Sequence, residues 1–195
     1  IKAVGFKSFA DKIELDIKDG ITCIVGPNGS GKSNILDAVK WVLGEQSVKT
    51  LRGTGSMSDV IFNGSKSRSP MSRASVALTI DNSNHYLKSE FNEIEVKRVV
   101  YRTGENEYYL NNTKVRLKDI TDLFIDSGAS RDAYNIISQG TVEDIVSSKP
   151  EARRVIIEEA AGVLKYKKHK EESLRKLEKT KDNLNTINLL INELE

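Results

Sequence analysis

An α/β fold, in which a phosphate-binding strand–loop–helix unit joins an antiparallel sheet and a long C-terminal helix, is what this 195-residue sequence predicts. Three observations carry the prediction. The octapeptide Gly26-Pro27-Asn28-Gly29-Ser30-Gly31-Lys32-Ser33 follows an apolar run and opens a helical pattern. Between residues 75 and 117, four segments rich in β-branched and aromatic side chains are separated by turn signals. From Glu151 onward there is no proline and one glycine, Gly162, and apolar residues recur at alternating spacings of three and four.

In chain order, "IKAVGF", "KIELDI" and "ITCIVG" read as three short strands with polar turns such as Lys18-Asp19-Gly20 between them. The third runs into the glycine-rich loop. Ile35, Leu36, Val39, Val42 and Leu43 then follow helical spacing, with Gly44 placed to end the helix. The polar, Gly- and Ser-rich stretch from Ser47 to Ser75 reads as an irregular surface region. "SVALTID", "EIEVKRVVYR", "EYYLN" and "KVRL" read as an antiparallel sheet continuous with the first strands, the Asn111-Asn112 pair favouring a tight hairpin. "LKDITDLFID" reads as a helix ending before Ser127-Gly128, and Ser147, Ser148 and Pro150 mark a further helix start. Leu177, Thr180, Leu184, Ile187, Ile191 and Leu194 form a heptad seam with one polar position. A coiled coil and an amphipathic helix packed on its own domain both fit that seam.

Composition narrows the class. With 38% hydrophobic and 30% charged residues and three prolines, the chain has room for one core plus an appended element. Its one cysteine, Cys23, lies within "ITCIV" and is expected to be buried in a strand; no disulfide framework is possible, which suits a reducing compartment. No signal-peptide pattern and no run of ~20 apolar residues is present, so a cytoplasmic protein is expected, with no membrane partner. The net charge of +2 is placed unevenly, since Val163–Glu195 holds eight Lys/Arg and six Asp/Glu. That surplus is too small to establish a nucleic-acid partner.

Gly26-x-x-x-x-Gly31-Lys32-Ser33 is a complete Walker A pattern. Glycines let consecutive backbone N–H groups face phosphate oxygens, and the following helix adds its positive N-terminal end. Lys32 reaches the β- and γ-phosphates, while the Ser33 hydroxyl is placed to ligate Mg²⁺. The chain is therefore expected to bind a nucleoside triphosphate. GTP is disfavoured, because neither a D-x-x-G switch nor an N-K-x-D base reader occurs. A small-molecule kinase would follow the loop with an acceptor pocket and an arginine-bearing lid; an antiparallel sheet and a heptad tail favour an ABC-like fold instead.

"GFKSF", "GPNGSGKSNILDAVKWVLGEQS", "LRG", "DVIF", "LKDITDLFIDSG", "IISQG" and "EEAAGVLKYKKHK" together resemble the N-terminal head segment of a bacterial SMC (structural maintenance of chromosomes) protein. The resemblance runs across nearly the whole chain. It implies a P-loop, ABC-ATPase-like head lobe with a mixed or antiparallel sheet over residues 1–162, and the start of a coiled-coil neck over 163–195. Carried over residue by residue, Gly26, Pro27, Asn28, Gly29, Ser30, Gly31, Lys32 and Ser33 would be the ATP loop, with Asn34 just beyond. Gln139 would join Ser33 around Mg²⁺ and sense the γ-phosphate. Lys7 and Ser8 would approach the nucleotide, Arg52 would match an arginine loop near the phosphates, and Asp59 would lie near the adenosine. Lys32, Gln139 and Arg52 are thus the catalytic candidates. Solvation or a DNA-facing role is the competing reading of Arg52.

An ABC ATPase also needs a Walker B Asp-Glu pair and an LSGG-type signature. Neither is found. "LFIDS" places Ser127 where the catalytic Glu should follow Asp126, and "IIEEA" at Ile156–Ala160 reads as a charged helix face. The resemblance therefore implies a site completed by the C-terminal half of the same head and by a second, ATP-sandwiched head in a homodimer. The isolated chain is then expected to be inactive. A kleisin subunit at the neck coil and nucleoid DNA bound without sequence preference are further implied partners. Lys66, Arg68, Arg73, Lys165, Lys167, Lys168 and Lys170 are candidate phosphate contacts, although the interleaved Glu171 and Glu172 favour a solvated helix face as the reading of the tail. A RecF- or RecN-like repair ATPase head and a non-motor P-loop enzyme are the rival readings.

Overall fold

A computed structural model of the protein describes residues 1–51, 55–125, 136–137, 147, 150, 154, 157–158 and 163–194. The chain divides into two compact units, Ile1–Glu143 and Asp144–Glu195.

The first unit is built on one sheet. Its strands are β1 (Lys2–Val4), β2 (Ile13–Glu14), β3 (Arg73–Asp81), β4 (Glu93–Tyr101), β5 (Asn106–Leu110) and β6 (Thr113–Val115). They lie in the order β2-β1-β3-β4-β5-β6, and each neighbouring pair is antiparallel. The late strands are continuous with the early ones because β1 pairs with β3, Ala3 opposite Val76. Period-two alternation gives the sheet one buried face, on which Ala74 and Val76 of β3 and Ile94, Val96 and Val100 of β4 are buried. The β5–β6 turn is made by Asn111 and Asn112, both at positive φ (45° and 65°), the geometry a two-residue type I′ hairpin requires.

Helix α1 (Lys32–Val42) buries Ala38, Trp41 and Val42 in the same core as those strand residues. Its end is a Schellman motif: Gly44, at φ +113°, donates its N–H to the Trp41 carbonyl, and Glu45 donates to Lys40. Trp41 is the anchor. Its ring tilts 40° against Phe6 at 5.2 Å between centroids, and its Nε1 donates to the Met57 sulfur at 3.2 Å. Helix α2 (Leu117–Ile125) adds Ile120 and Phe124 to the core.

Two expectations are corrected. Residues 21–26 form no strand; Ile21 is 94% and Val25 87% exposed, and Cys23 is exposed rather than buried. A continuous apolar run becomes a strand when sheet neighbours and covering layers take up its two edges and two faces. No described strand pairs with it. The stretch after Ser47 is, conversely, not all surface. Leu51, Val60 and Ile61 are fully buried, and a 3₁₀ turn, Met57–Val60, carries Val60 inward.

The loop from Asn82 to Asn92 is organised by one buried side chain. The Asn82 amide donates to the carbonyls of Leu87 (3.2 Å) and Phe91 (2.9 Å) and accepts from the Leu87 N–H (2.8 Å).

In the second unit, α3 (Leu164–Leu194) is a single 31-residue helix, about 46 Å long. Its seam residues Leu177, Leu184, Ile187 and Ile191 stand 48–66% exposed. Glu158 accepts from Arg154 (2.8 Å) and Lys167 (2.9 Å), cations that hold its carboxyl below the usual range, Lys167 foremost. Among the described residues, no helix is long and apolar enough to cross a membrane.

Candidate nucleotide-binding site

The loop before α1 is shaped by left-handed glycines. Gly31 caps the helix at φ +94°, where a Cβ would meet the Ser8 hydroxyl at 2.9 Å and the Phe9 ring at 3.0 Å. Only glycine satisfies both the backbone and the space. Lys32 folds back across the loop, its ammonium donating to the carbonyls of Gly26 and Pro27 at 2.7 Å each. Ser33 is exposed at the start of the helix, and Asn28, Gly29 and Ser30 are exposed in the loop.

The "FKS" turn is gripped by one face of α1. Asn34 donates from Nδ2 to the Ser8 hydroxyl at 2.7 Å, and Asp37, one turn on, accepts from the Lys7 ammonium at 2.5 Å. Lys7 also donates to the Leu51 carbonyl and adopts φ +50°. This ion pair is largely buried, with 14% and 8% of the two side chains exposed. It ties the end of β1, the loop helix and residue 51 together. Asp59 closes a capping box, its Oδ2 accepting from the N–H groups of Gly55 (2.7 Å) and Ser56 (3.2 Å).

Lys7, Asn34 and Asp59, with Ile61 and Asn63, line an open cavity of about 350 Å³. Three sequence-predicted residues therefore share one wall beside the loop helix. Asn63 and Asp37 were not legible as site residues, since neither belongs to a phosphate-loop pattern and each is placed by a nonlocal contact. Arg52 and Gln139 lie outside the described residues. Of the basic candidates, Arg68 is paired with Asp11 at 2.5 Å and Lys167 with Glu158, whereas Lys66, Arg73 and Lys170 are exposed; the side chains of Lys165 and Lys168 lie outside the described set.

The residues present fit a triphosphate: a glycine cradle that a Cβ would fill, one lysine at the loop and a helix N-terminus behind it. The Ser33 hydroxyl, exposed at the start of the helix, is a hard oxygen of the kind Mg²⁺ takes beside phosphate and water.

At the opposite end of α1, Arg98 occupies an inward position of β4 and is fully buried. Its Nη1 donates to the carbonyls of Trp41 (2.8 Å) and Glu45 (2.7 Å), and its Nη2 to the Asn106 side chain (3.2 Å). Burial pushes its pKa down to about 10, opposed by Tyr108 and Glu45. A guanidinium at the negative end of the helix thus fixes α1 to the sheet.

The family model for the RecF/RecN/SMC N-terminal domain matches residues 1–193. The chromosome partition protein Smc of Bacillus subtilis (strain 168) is 56% identical over 195 residues, all of this chain and 16% of that protein. The chain thus spans about a sixth of the curated relatives' length. The Smc head domain of Pyrococcus furiosus, with an extended coiled coil and bound to the C-terminal domain of ScpA, has a TM-score of 0.78 and 37% identity. The match covers 98% of this chain and 48% of that one. A chain from structural work on ATP-driven dimerization and DNA-stimulated activation of SMC ATPases has a TM-score of 0.74 and 36% identity, covering 82% and 96%. The fold is that of SMC head domains, and this chain belongs to the RecF/RecN/SMC N-terminal domain family.

Proposed function

We propose that this chain is the ATP-binding N-terminal half of an SMC head, in a protein whose ATP-driven head engagement organises and segregates chromosomal DNA in the nucleoid. The observation that carries the reading is the loop: left-handed Gly31 packed against Ser8, with Lys32 at the loop mouth and Asn34 tied to the "FKS" turn. The Smc and SMC-head relatives favour it over a RecF- or RecN-like repair head.

The loop amides of Gly29 to Ser33 and the Lys32 ammonium hold the phosphates, and Asn34 and Lys7 support the loop from the side. The Ser33 hydroxyl and Gln139 would hold Mg²⁺, which would supply positive charge to the phosphates. Arg52 approaches the phosphates and Asp59 the adenosine. Residues 1–162 form the lobe, and residues 163–195 begin a neck coil whose exposed Leu177–Ile191 seam suits a returning helix and a kleisin contact. DNA is bound through phosphates without base reading.

Walker B and the signature come from the complementary half and from a second head, so ATP is held between two heads, and its hydrolysis to ADP and phosphate releases them. Supplying the purified chain with its complementary half is expected to produce ATP turnover that the chain alone lacks. Robust turnover by the chain alone would overturn the split-site reading.

A further inference from the structure

Trp41, the only tryptophan of the chain, is fully buried, so its indole N–H needs an acceptor inside the protein. It donates to the Met57 sulfur at 3.2 Å. A thioether is a weak acceptor for such a donor. Met57 itself is half-buried and opens the 3₁₀ turn Met57–Val60, directly after exposed Gly55 and Ser56. Its sulfur therefore meets the core from a residue at the surface.

That turn is bonded to the surround of the glycine-rich loop. The Val60 carbonyl accepts from the Lys7 N–H at 2.7 Å, and Phe62 donates its N–H to the Gly5 carbonyl at 2.8 Å. Lys7 leads into Ser8 and Phe9, the two side chains that stand against Gly31. A shift of the turn is thus carried by backbone hydrogen bonds into the wall on which the loop rests.

Oxidation of the sulfur enforces such a shift. A sulfoxide oxygen bonded to the indole N–H must lie between nitrogen and sulfur, and 3.2 Å leaves no room for it. Trp41 cannot give way, because Phe6 packs on its ring at 5.2 Å and Arg98 at 4.6 Å. The Met57–Val60 turn has to retreat instead.

We propose that Met57 is a reversible oxidation site, with a hydroperoxide as its co-substrate, whose sulfoxide loosens the ATP loop. The thioether attacks a peroxide oxygen: the S–O bond forms, the O–O bond breaks, sulfur gives up two electrons, and hydrogen peroxide's second oxygen leaves as water. A dithiol reverses the step, becoming a disulfide as the sulfoxide oxygen leaves as water. The proposal rests on the reading of the Gly26–Ser33 loop as the triphosphate seat.

The test uses full-length protein carrying Cys23→Ser, which removes an exposed thiol as a competing target. It is treated with hydrogen peroxide, its methionine sulfoxides are mapped by peptide mass spectrometry, and its equilibrium affinity for ATP is measured before and after. Conversion of Met57 is expected to weaken ATP about three- to tenfold, and methionine sulfoxide reductases with a dithiol are expected to restore it. Met57→Leu, close in volume and without sulfur, is expected to bind ATP with an affinity that peroxide leaves unchanged. Four results would each overturn the proposal: Met57 left unoxidised while Met71 is converted, unaltered affinity at full Met57 conversion, a loss the reductases do not restore, or a loss that persists in Met57→Leu. Lys32→Ala is expected to weaken ATP before any oxidation; if it does not, the loop reading fails, while the Met57→Leu comparison still judges Met57.

Discussion

Arg98 lies over the ring of Trp41, its guanidinium carbon 4.6 Å from the ring centroid, and donates to that same residue's carbonyl. Tyr108 stands 5.0 Å away on β5. One side chain thus joins β4 and β5 to the end of the helix whose other end is the glycine-rich loop. The indole and phenol faces supply cation–π attraction that partly offsets the loss of water.

Replacing Arg98 removes the donor to two buried carbonyls. Arg98→Met is expected to lower unfolding stability by about 2 kcal/mol, each orphaned acceptor costing more than the relieved guanidinium returns. Arg98→Lys is not expected to rescue, because a point charge cannot reproduce the planar fork. The folded pKa of about 10 lies below the ordinary 12.5, so both states are protonated below about pH 9 and the group adds no slope there. Urea unfolding between about pH 6 and 9 should therefore show a constant difference between wild type and Arg98→Met; a difference that changes with pH across that window would refute this account.

At the loop, Gly31→Ala must put a side chain at φ +94° and within 2.9 Å of the Ser8 hydroxyl. The left-handed backbone alone costs about 1–2 kcal/mol, and relief of the contact shifts the loop off the "FKS" turn. ATP binding is expected to fall more than about tenfold. Gly29→Ala is the control: φ is +82°, yet nothing lies within 4 Å of the added carbon. Equal losses in the two variants would show that the Ser8 contact is irrelevant.

Glu107 is a third lever. It accepts from Lys114 (2.7 Å), Tyr101 (3.0 Å) and Tyr109 (3.1 Å), and these donors, Lys114 first, hold its carboxyl below 4.5. A depressed folded pKa means stability that is present above the unfolded value and lost as pH falls through the folded one. Glu107→Gln is expected to flatten the acid limb of the stability curve, read by urea unfolding at about pH 3 to 6. An unchanged limb would place the acid sensitivity elsewhere.

Where geometry is local, the residues declared it. The Asn111-Asn112 hairpin, the α1 stop at Gly44 and the four later strands follow from turn chemistry and period-two patterning. The glycine-rich loop was legible for the same reason, since its left-handed residues and its lysine are contiguous. The cavity beside it was legible only in part. Lys7, Asn34 and Asp59 belong to recognisable motifs, but Asn63 enters through Arg102, 39 residues away.

Residues 21–26 show the limit most clearly. Their apolar sequence has every local property of a buried strand, yet Ile21 and Val25 are exposed, because burial is a property of what lies alongside and not of the run itself. Arg98 shows the converse, a charge at an inward strand position that patterning would assign to the surface. By itself the sequence determined a glycine-rich loop leading into a helix, an antiparallel sheet and a heptad tail, because those depend on neighbours a few residues apart. The tertiary structure alone decided that Lys7 pairs with Asp37, that Leu51, Val60 and Ile61 complete the core, and that Arg98 caps the loop helix. Such choices depend on which distant groups meet where water is excluded, and there a donor left without an acceptor, or an acceptor without a donor, is costly.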